Sequence, residues 1–350
     1  VRSGVKVYLA ERSECSWWDQ FVASRPESLY SERLAWRDVL VESLALSDRL
    51  LVAENGGEVV GVLALFLNRS RLGLGARHAI SGPLSSSGGG LVAATPQAEE
   101  ALLSLAGELA RQEGWRYVLL RLTRPLRAGE WWLREGYVTF SLDLSQGEEH
   151  VWRRIFRDKT RNQVRKARKY GFRVEQGHHL LPRFWEVLHE GMRELGSPCP
   201  PRSIFRCAVE HFGPQVEFLV LFDGDLPVAG TVLFFHRRTV ANPWAVSLRR
   251  YRPQCANTLL YHEIVKLGCR RGMERFDLGR SLRGSGTYHF KRRLGAQEQP
   301  LYYYYWARKE QDLPPAPQES APPAWFPRLY SRLPRTLTRR LGALLIKELV

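Results

Sequence analysis

Apolar residues recur along the chain at two spacings. Trp17, Trp18, Phe21 and Val22 stand three and four apart, as do Trp36, Val39 and Leu40. That spacing predicts two amphipathic helices. Between Leu50 and Phe66 two apolar runs flank Asn55-Gly56-Gly57. Glycine supplies the positive φ of a tight turn, so this stretch predicts a β-hairpin. Residues 81–90, rich in Gly and Ser, predict a loop. Thr95-Pro96 opens a helix that runs through Leu109, with Gly114 as its stop. Residues 117–122 predict a buried strand. Trp131, Trp132, Gly136 and Tyr137 then lead to a last strand at 138–142.

The second half follows the same order. A basic helix is predicted over 149–170, ending at Gly171, and a strand follows at 172–175. Residues 181–194 have helical spacing and end in the Pro-rich break 197–201. Residues 216–222 and 228–236 flank Asp223-Gly224-Asp225 and predict a second hairpin. A helix over 257–271, stopped by Gly272, precedes a short strand at 276–278. An aromatic strand is predicted at 301–306. Helix, hairpin, helix and strand thus occur twice, which predicts an α+β chain of two similar domains, 1–148 and 149–310. Residues 313–323 form a Pro-rich linker within the remaining segment, 311–350. Its end is basic and amphipathic, with Arg328, Arg332, Arg335, Arg339 and Arg340. Leu333, Leu337, Leu341, Leu344 and Leu345 form an apolar stripe there. Such a stripe more commonly packs on a core than on a membrane.

Composition narrows the partners. The 350 residues are 44% hydrophobic and 25% charged, which excludes a disordered or collagen-like chain. Fifty-two Lys and Arg against 36 Asp and Glu, with His neutral, leave a net charge of +16. That balance favours an anionic partner: nucleic acid, anionic lipid or a phosphorylated substrate. Five cysteines without C-x-x-C spacing argue against a disulfide scaffold and a zinc ribbon. A reduced, cytoplasmic chain without a signal peptide or a membrane span is expected.

Two clusters carry candidate chemistry. The first runs from Arg153 to Lys169 and includes Arg154, Arg157, Lys159, Arg161, Arg165, Lys166 and Arg168. Only Asp158 interrupts it. Like charges on one helix repel, so a bound anion would relieve them, although a solvated basic face is the plainer alternative. The second is Phe276-Asp277-Leu278-Gly279-Arg280-Ser281-Leu282-Arg283-Gly284-Ser285-Gly286-Thr287-Tyr288-His289-Phe290-Lys291. A strand ends there in a Gly-rich loop whose amides can hold an anion, and Arg280 and Arg283 can clamp phosphate. Tyr288, His289 and Lys291 follow on a short segment. Beside an acyl-transfer centre the Lys291 ammonium would stabilise an oxyanion. The same charge would equally neutralise a phosphate or sit in solvent. Asp277 is a candidate general base or a turn cap. His289 is a proton carrier or a solvated histidine. His178-His179 lack a third ligand, so no metal is expected. Gly73 and Gly75 fit a turn better than a phosphate loop.

These stretches resemble the FemABX-like branch of the GNAT acyltransferase superfamily. The nearest likeness is to FemAB-related proteins associated with PEP-CTERM/exosortase gene clusters. Three stretches carry it: residues 159–171, the F-D-L-G-R-S…G-T-Y-x-F-K pattern at 276–295, and the tail from Tyr330 to Gly342. The resemblance implies two tandem GNAT-like (acyl-CoA N-acyltransferase) domains with a basic helical tail. It implies transfer of an aminoacyl or acyl group from aminoacyl-tRNA or acyl-CoA, as co-substrate, to an amine or hydroxyl. The acceptor would be an anionic cell-envelope, peptidoglycan or exopolysaccharide precursor. No permanently bound cofactor is implied. Lys291 falls on the lysine thought to assist transfer in that family, with Asp277 and Tyr288 beside it. Arg165 is the nearest match to an arginine that would hold a diphosphate there, and Arg161 on the same helix is a second expected phosphate ligand. GNAT enzymes receive the donor pyrophosphate at an Arg/Gln-x-x-Gly-x-Gly/Ala junction. Here the junction reads Arg252-Pro253-Gln254-Cys255-Ala256-Asn257, without glycine, and Arg252, Gln254 and Asn257 are the expected donor ligands. tRNA, and an inner-membrane surface met by the tail, complete the expected partners. A non-catalytic binder of nucleic acid or anionic membrane is the alternative reading.

Overall fold

The computed structural model describes residues 4–68, 77–84, 87–127, 131–315, 323 and 325–348. Gly73 and Gly75 lie outside them. The chain divides into two units. Unit 1 is Val1–Tyr137, Pro300–Ser320 and Lys347–Val350; unit 2 is Val138–Gln299 and Ala321–Ile346.

Unit 1 contains strands β1 (Lys6–Ala10), β2 (Ser47–Asn55), β3 (Glu58–Asn68), β4 (His78–Ile80), β5 (Leu91–Ala93), β6 (Tyr117–Leu122) and β7 (Trp132–Arg134). Helices α1 (Trp18–Ala23), α2 (Leu34–Leu44) and α3 (Pro96–Gln112) accompany them. The predicted hairpin is β2–β3. Asn55 pairs with Glu58, and Gly56 and Gly57 have φ of +61° and +86°. Two positive φ values in a two-residue loop match the twist of the flanking strands. Thr95 Oγ1 accepts from the Ala98 amide at 3.2 Å and starts α3, as the sequence indicated. Leu102, Leu103 and Ala106 of α3 pack on Leu63, Leu65, Val118 and Leu120.

Unit 2 contains β8 (Tyr137–Asp143), β9 (Arg173–Gln176), β10 (Val216–Asp223), β11 (Leu226–His236), β12 (Thr239–Ser247), β13 (Arg275–Leu282) and β14 (Gln297–Pro300). Its helices are α4 (Gly147–His150), α5 (Asp158–Arg168), α6 (Leu181–Leu195), α7 (Arg202–Phe212), α8 (Ala256–Arg270), α9 (Gly286–Leu294), α10 (Trp325–Arg332) and α11 (Arg335–Glu348). The sheet order is β14-β8-β13-β12-β11-β10-β9. Phe140, Leu219, Leu233, Ile264, Phe276 and Leu278 are among its buried core.

Three expectations need correction. Strand 138–142, assigned to the first domain, lies in the second sheet, between β14 and β13. The aromatic strand, assigned to the second domain, is β15 (Tyr302–Ala307) and lies in the first sheet, between β6 and β7. All six of its residues pair with β6, and Gly107 of α3 leaves room for the Trp306 ring. Each strand satisfies its amides in a sheet other than its neighbours' along the chain, which periodicity does not reveal. The boundaries therefore fall at 137/138 and 299/300. The predicted single helix 149–170 is broken. Val151–Ile155 form a π turn, and Phe156 leaves the helix with ψ 122°. Its ring is buried. The Arg161 guanidinium donates to the freed carbonyls of Phe156, Arg153 and Trp152 at 2.7, 3.1 and 3.2 Å. Among the described residues no helix is long and apolar enough to cross a membrane.

Candidate active site

Within unit 2, β12 and β13 run parallel but pair only at Thr239–Arg275, Val240–Phe276 and Ala241–Asp277. Both strands continue beyond that ladder, β12 to Ser247 and β13 to Leu282. Residues 245–247 of β12, the 249–255 loop, the end of α6, the starts of α5 and α8, and α9 along its length border a cavity of about 930 Å³. Thr258 Oγ1 donates to Gln163 Oε1 at 3.2 Å, tying α8 to α5. Thr160 Oγ1 donates to the Arg293 carbonyl at 3.1 Å, tying α5 to α9.

The cavity wall is strongly basic. Arg157, Lys159, Arg249, Arg252, Lys291 and Arg293 line it, against one carboxylate, Glu194. Glu194 already accepts from the Arg249 amide at 2.8 Å. At one edge α8 begins without a side-chain cap. The first amides of a helix lack intrahelical partners and carry partial positive charge, so they favour an anion. Cys255 precedes this helix with φ +61°, a left-handed conformation. It occupies the position of the first glycine in the GNAT junction pattern and adopts the backbone that glycine would.

Lys291 is the buried charge of the site, 5% exposed. Its Nζ donates to the carbonyls of Gly279 at 2.7 Å and Arg280 at 3.0 Å. An ammonium has three N–H groups, so one remains for the cavity. Burial lowers its pKa to about 8; Asp277 opposes the shift and Arg280 adds to it. Asp277 is also buried, and its Oδ1 accepts from the Gly279 amide at 2.9 Å and Thr139 Oγ1 at 3.0 Å. It therefore fixes the stretch of β13 backbone that Lys291 reads. Asn242, one residue past the ladder, is buried, and its side-chain amide beside the Tyr261 hydroxyl partly offsets the rise that burial imposes on that phenol's pKa.

Of the expected residues, Lys291, Arg252 and Asn257 line the cavity. Gln254 does not, and its Oε1 is buried without a partner. Arg161 is committed to the broken turn. Arg165 bonds Asn162 at 2.9 Å and lies over the Trp152 ring, away from the cavity lining. Arg280 contributes its carbonyl to Lys291. Arg283 pairs with Glu298 at 2.9 Å, and the Tyr288 hydroxyl donates to the same carboxylate at 2.8 Å, which raises the phenol pKa. Sequence reasoning placed Arg157 and Lys159 in the basic cluster and Arg249 at the junction without singling them out as ligands, and it passed over Arg293. The helix break at Phe156 is what brings Arg157 and Lys159 to the start of α5.

The family model for an acetyltransferase (GNAT) domain matches residues 154–292. No curated protein sequence matches the chain. Among solved structures the chain is similar to FemX, with 15% identity and a TM-score of 0.65, covering 85% of this chain and 96% of that one. It is also similar to a tandem GNAT protein from the clavulanic acid biosynthesis pathway, with 13% identity and a TM-score of 0.55, covering 89% and 99%. These likenesses concern the fold, while the matched domain holds all but two of the cavity-lining residues. Residues 154–292 are therefore similar to a GNAT acetyltransferase domain, and the chain as a whole shares the fold of FemX and of the tandem GNAT protein.

Proposed function

We propose that the unit 2 cavity receives a phosphate-bearing acyl donor, acyl-CoA or aminoacyl-tRNA. The acyl group passes to an amine or hydroxyl of an anionic cell-envelope or exopolysaccharide precursor. The observation that supports this reading is the cavity itself: six cations, one of them a buried lysine, and an uncapped helix start. Arg157, Lys159, Arg249, Arg252 and Arg293 would meet donor phosphates. The acyl carbon would then lie near Lys291.

In the transfer step the acceptor nitrogen or oxygen attacks the acyl carbonyl carbon. A C–N or C–O bond forms, and the carbonyl oxygen takes negative charge. The free N–H of Lys291 would donate to that oxygen, a contact that strengthens as the charge develops. When the carbonyl reforms, the bond to the donor's sulfur or ribose oxygen breaks, and the acceptor's proton leaves with the departing group. Both substrates held in one cleft lower the entropic part of the barrier.

A thermal-shift comparison of acetyl-CoA, charged tRNA and uncharged tRNA tests the donor. A ligand at about 100 times its Kd stabilises by about 2.7 kcal/mol. Stabilisation by acetyl-CoA alone assigns a conventional acetyltransferase. A preference for charged over uncharged tRNA assigns aminoacyl transfer. Equal, salt-sensitive binding to both tRNAs without a CoA effect would sink the proposal in favour of a basic binder.

A further inference from the structure

Helices α10 and α11 dock on unit 2 through one side only. Tyr330, Thr338 and Ile346 are buried. The Tyr330 hydroxyl donates to the Thr338 carbonyl at 3.1 Å, and Thr338 Oγ1 lies 3.1 Å from His189 Nε2 of α6. Gly342 approaches so closely that a Cβ there would lie 2.9 Å from the Cys199 carbonyl oxygen. The docking face is thus 338, 342 and 346, not the leucine stripe the sequence suggests.

The opposite side is apolar and exposed. Trp325 is 62% exposed, Leu329 54%, Leu337 41% and Leu344 56%. At 100° per residue, Arg328 and Arg332 share the outer face with Trp325 and Leu329, and Arg340 shares it with Leu337 and Leu344. No acid occurs between Trp325 and Lys347. Arg335 is paired with Glu190 at 2.9 Å, and Arg339 lies over the Trp185 ring. Arg328, Arg332 and Arg340 have no carboxylate partner among the described residues. The arginines therefore divide into two that hold the tail down and three left facing outward.

We infer that this outer face rests on an anionic lipid bilayer. Trp325, Leu329, Leu337 and Leu344 enter the headgroup boundary, and Arg328, Arg332 and Arg340 meet the lipid phosphates. Interleaved Trp, Leu and Arg on one helix face is the chemistry of an interfacial helix. Helices of eight and fourteen residues lie along a bilayer rather than cross it. The cations alone would suit nucleic acid equally well, but four large exposed apolar side chains would not, whereas an anionic bilayer takes both. The inference does not depend on the acyl-transfer reading.

Flotation of the full chain tests it at physiological salt, with vesicles of phosphatidylcholine alone or with about one-third phosphatidylglycerol. The chain should float with the anionic vesicles and not with the neutral ones. A variant with Trp325, Leu329, Leu337 and Leu344 changed to Ser should lose tenfold or more of that partitioning. So should a separate variant with Arg328, Arg332 and Arg340 changed to Glu. All seven side chains face outward, so melting temperatures should stay near the parent's; if the serine variant fails to fold, the glutamate variant decides. No flotation with anionic vesicles overturns the proposal. So does parent-like flotation of a folded variant, or binding to duplex nucleic acid that the serine substitutions leave intact while vesicles are ignored.

Discussion

Lys291 Nζ lies 2.7 Å from the Gly279 carbonyl oxygen, and Asp277 holds the amide of that same glycine at 2.9 Å. The backbone of β13 at Gly279 is thus gripped from both sides, and Lys291 reaches the cavity with one N–H left over. Losing a donor aimed at a developing oxyanion costs about 10²–10³ in kcat. Lys291→Met should show such a loss while donor affinity, read by equilibrium titration, changes less than about threefold. A folded Lys291→Met protein with parent-like kcat would refute the role.

The lowered Lys291 pKa also predicts a pH-dependent stability. Its folded value is about 8 and its ordinary value 10.5. Between them the unfolded chain binds the extra proton, so stability from this group rises with pH across that window. The full change is about 3 kcal/mol. Below pH about 8 the buried ammonium is a burden that removal partly relieves. Denaturant unfolding of parent and Lys291→Met at several pH values from about 7.5 to 10.5 should show a gap that widens in the parent's favour. A pH-independent gap would contradict the shift. Activity should move the opposite way, because the cation that stabilises the oxyanion is lost as pH rises through about 8.

Two arginines that look alike in sequence should behave differently. Arg161→Ala removes the donor to three carbonyls at the helix break. Unmade hydrogen bonds at partly buried groups cost about 1–3 kcal/mol, so chemical denaturation should show destabilisation, with donor affinity falling less than in Arg252→Ala and only as far as Arg157 and Lys159 shift with the break. Arg252 lines the cavity and is exposed. Arg252→Ala should leave the unfolding midpoint within about 0.5 kcal/mol of the parent and weaken a phosphate-bearing donor about tenfold. The reverse pattern would mean that the arginine roles are wrongly divided.

That contrast shows where the sequence was legible. The hairpins, α3, α8 and the Phe276–Lys291 stretch follow from turn chemistry, caps and spacing, which act over a few residues. The break at Phe156 does not, because it depends on Arg161 reaching back to carbonyls and on a ring buried in a distant core. A continuous helix hides Arg157 and Lys159 among nine similar charges, whereas the broken one places them at the cavity. The exchange of β8 and β15 is equally non-local: Tyr303 opposite Arg121 is separated from it by most of unit 2 in sequence. Lys291 was legible as a residue type in a motif, but its burial and two carbonyl partners were not.

Cys255 carries the last prediction. An L-residue in the left-handed region suffers contact between its Cβ and backbone, about 1–2 kcal/mol, which glycine avoids. Glycine also frees the unfolded chain by about 0.4–1 kcal/mol, so about half of the relief is offset. Cys255→Gly should therefore be neutral or stabilising by up to about 1 kcal/mol, and should bind donor at least as tightly as the parent. Valine, branched at Cβ, tolerates φ +61° worst. Cys255→Val should pull the junction away from this turn, move the α8 amides and weaken donor binding several-fold. The thiol's contact with the Pro253 carbonyl is long, 3.8 Å, but the side chain also packs against the unit 2 core, so its removal offsets a further part of the relief in Cys255→Gly. Denaturant midpoints and donor titrations on both proteins would decide. Parent-like stability and affinity in Cys255→Val would mean that the backbone conformation at this junction does not govern how the donor is held.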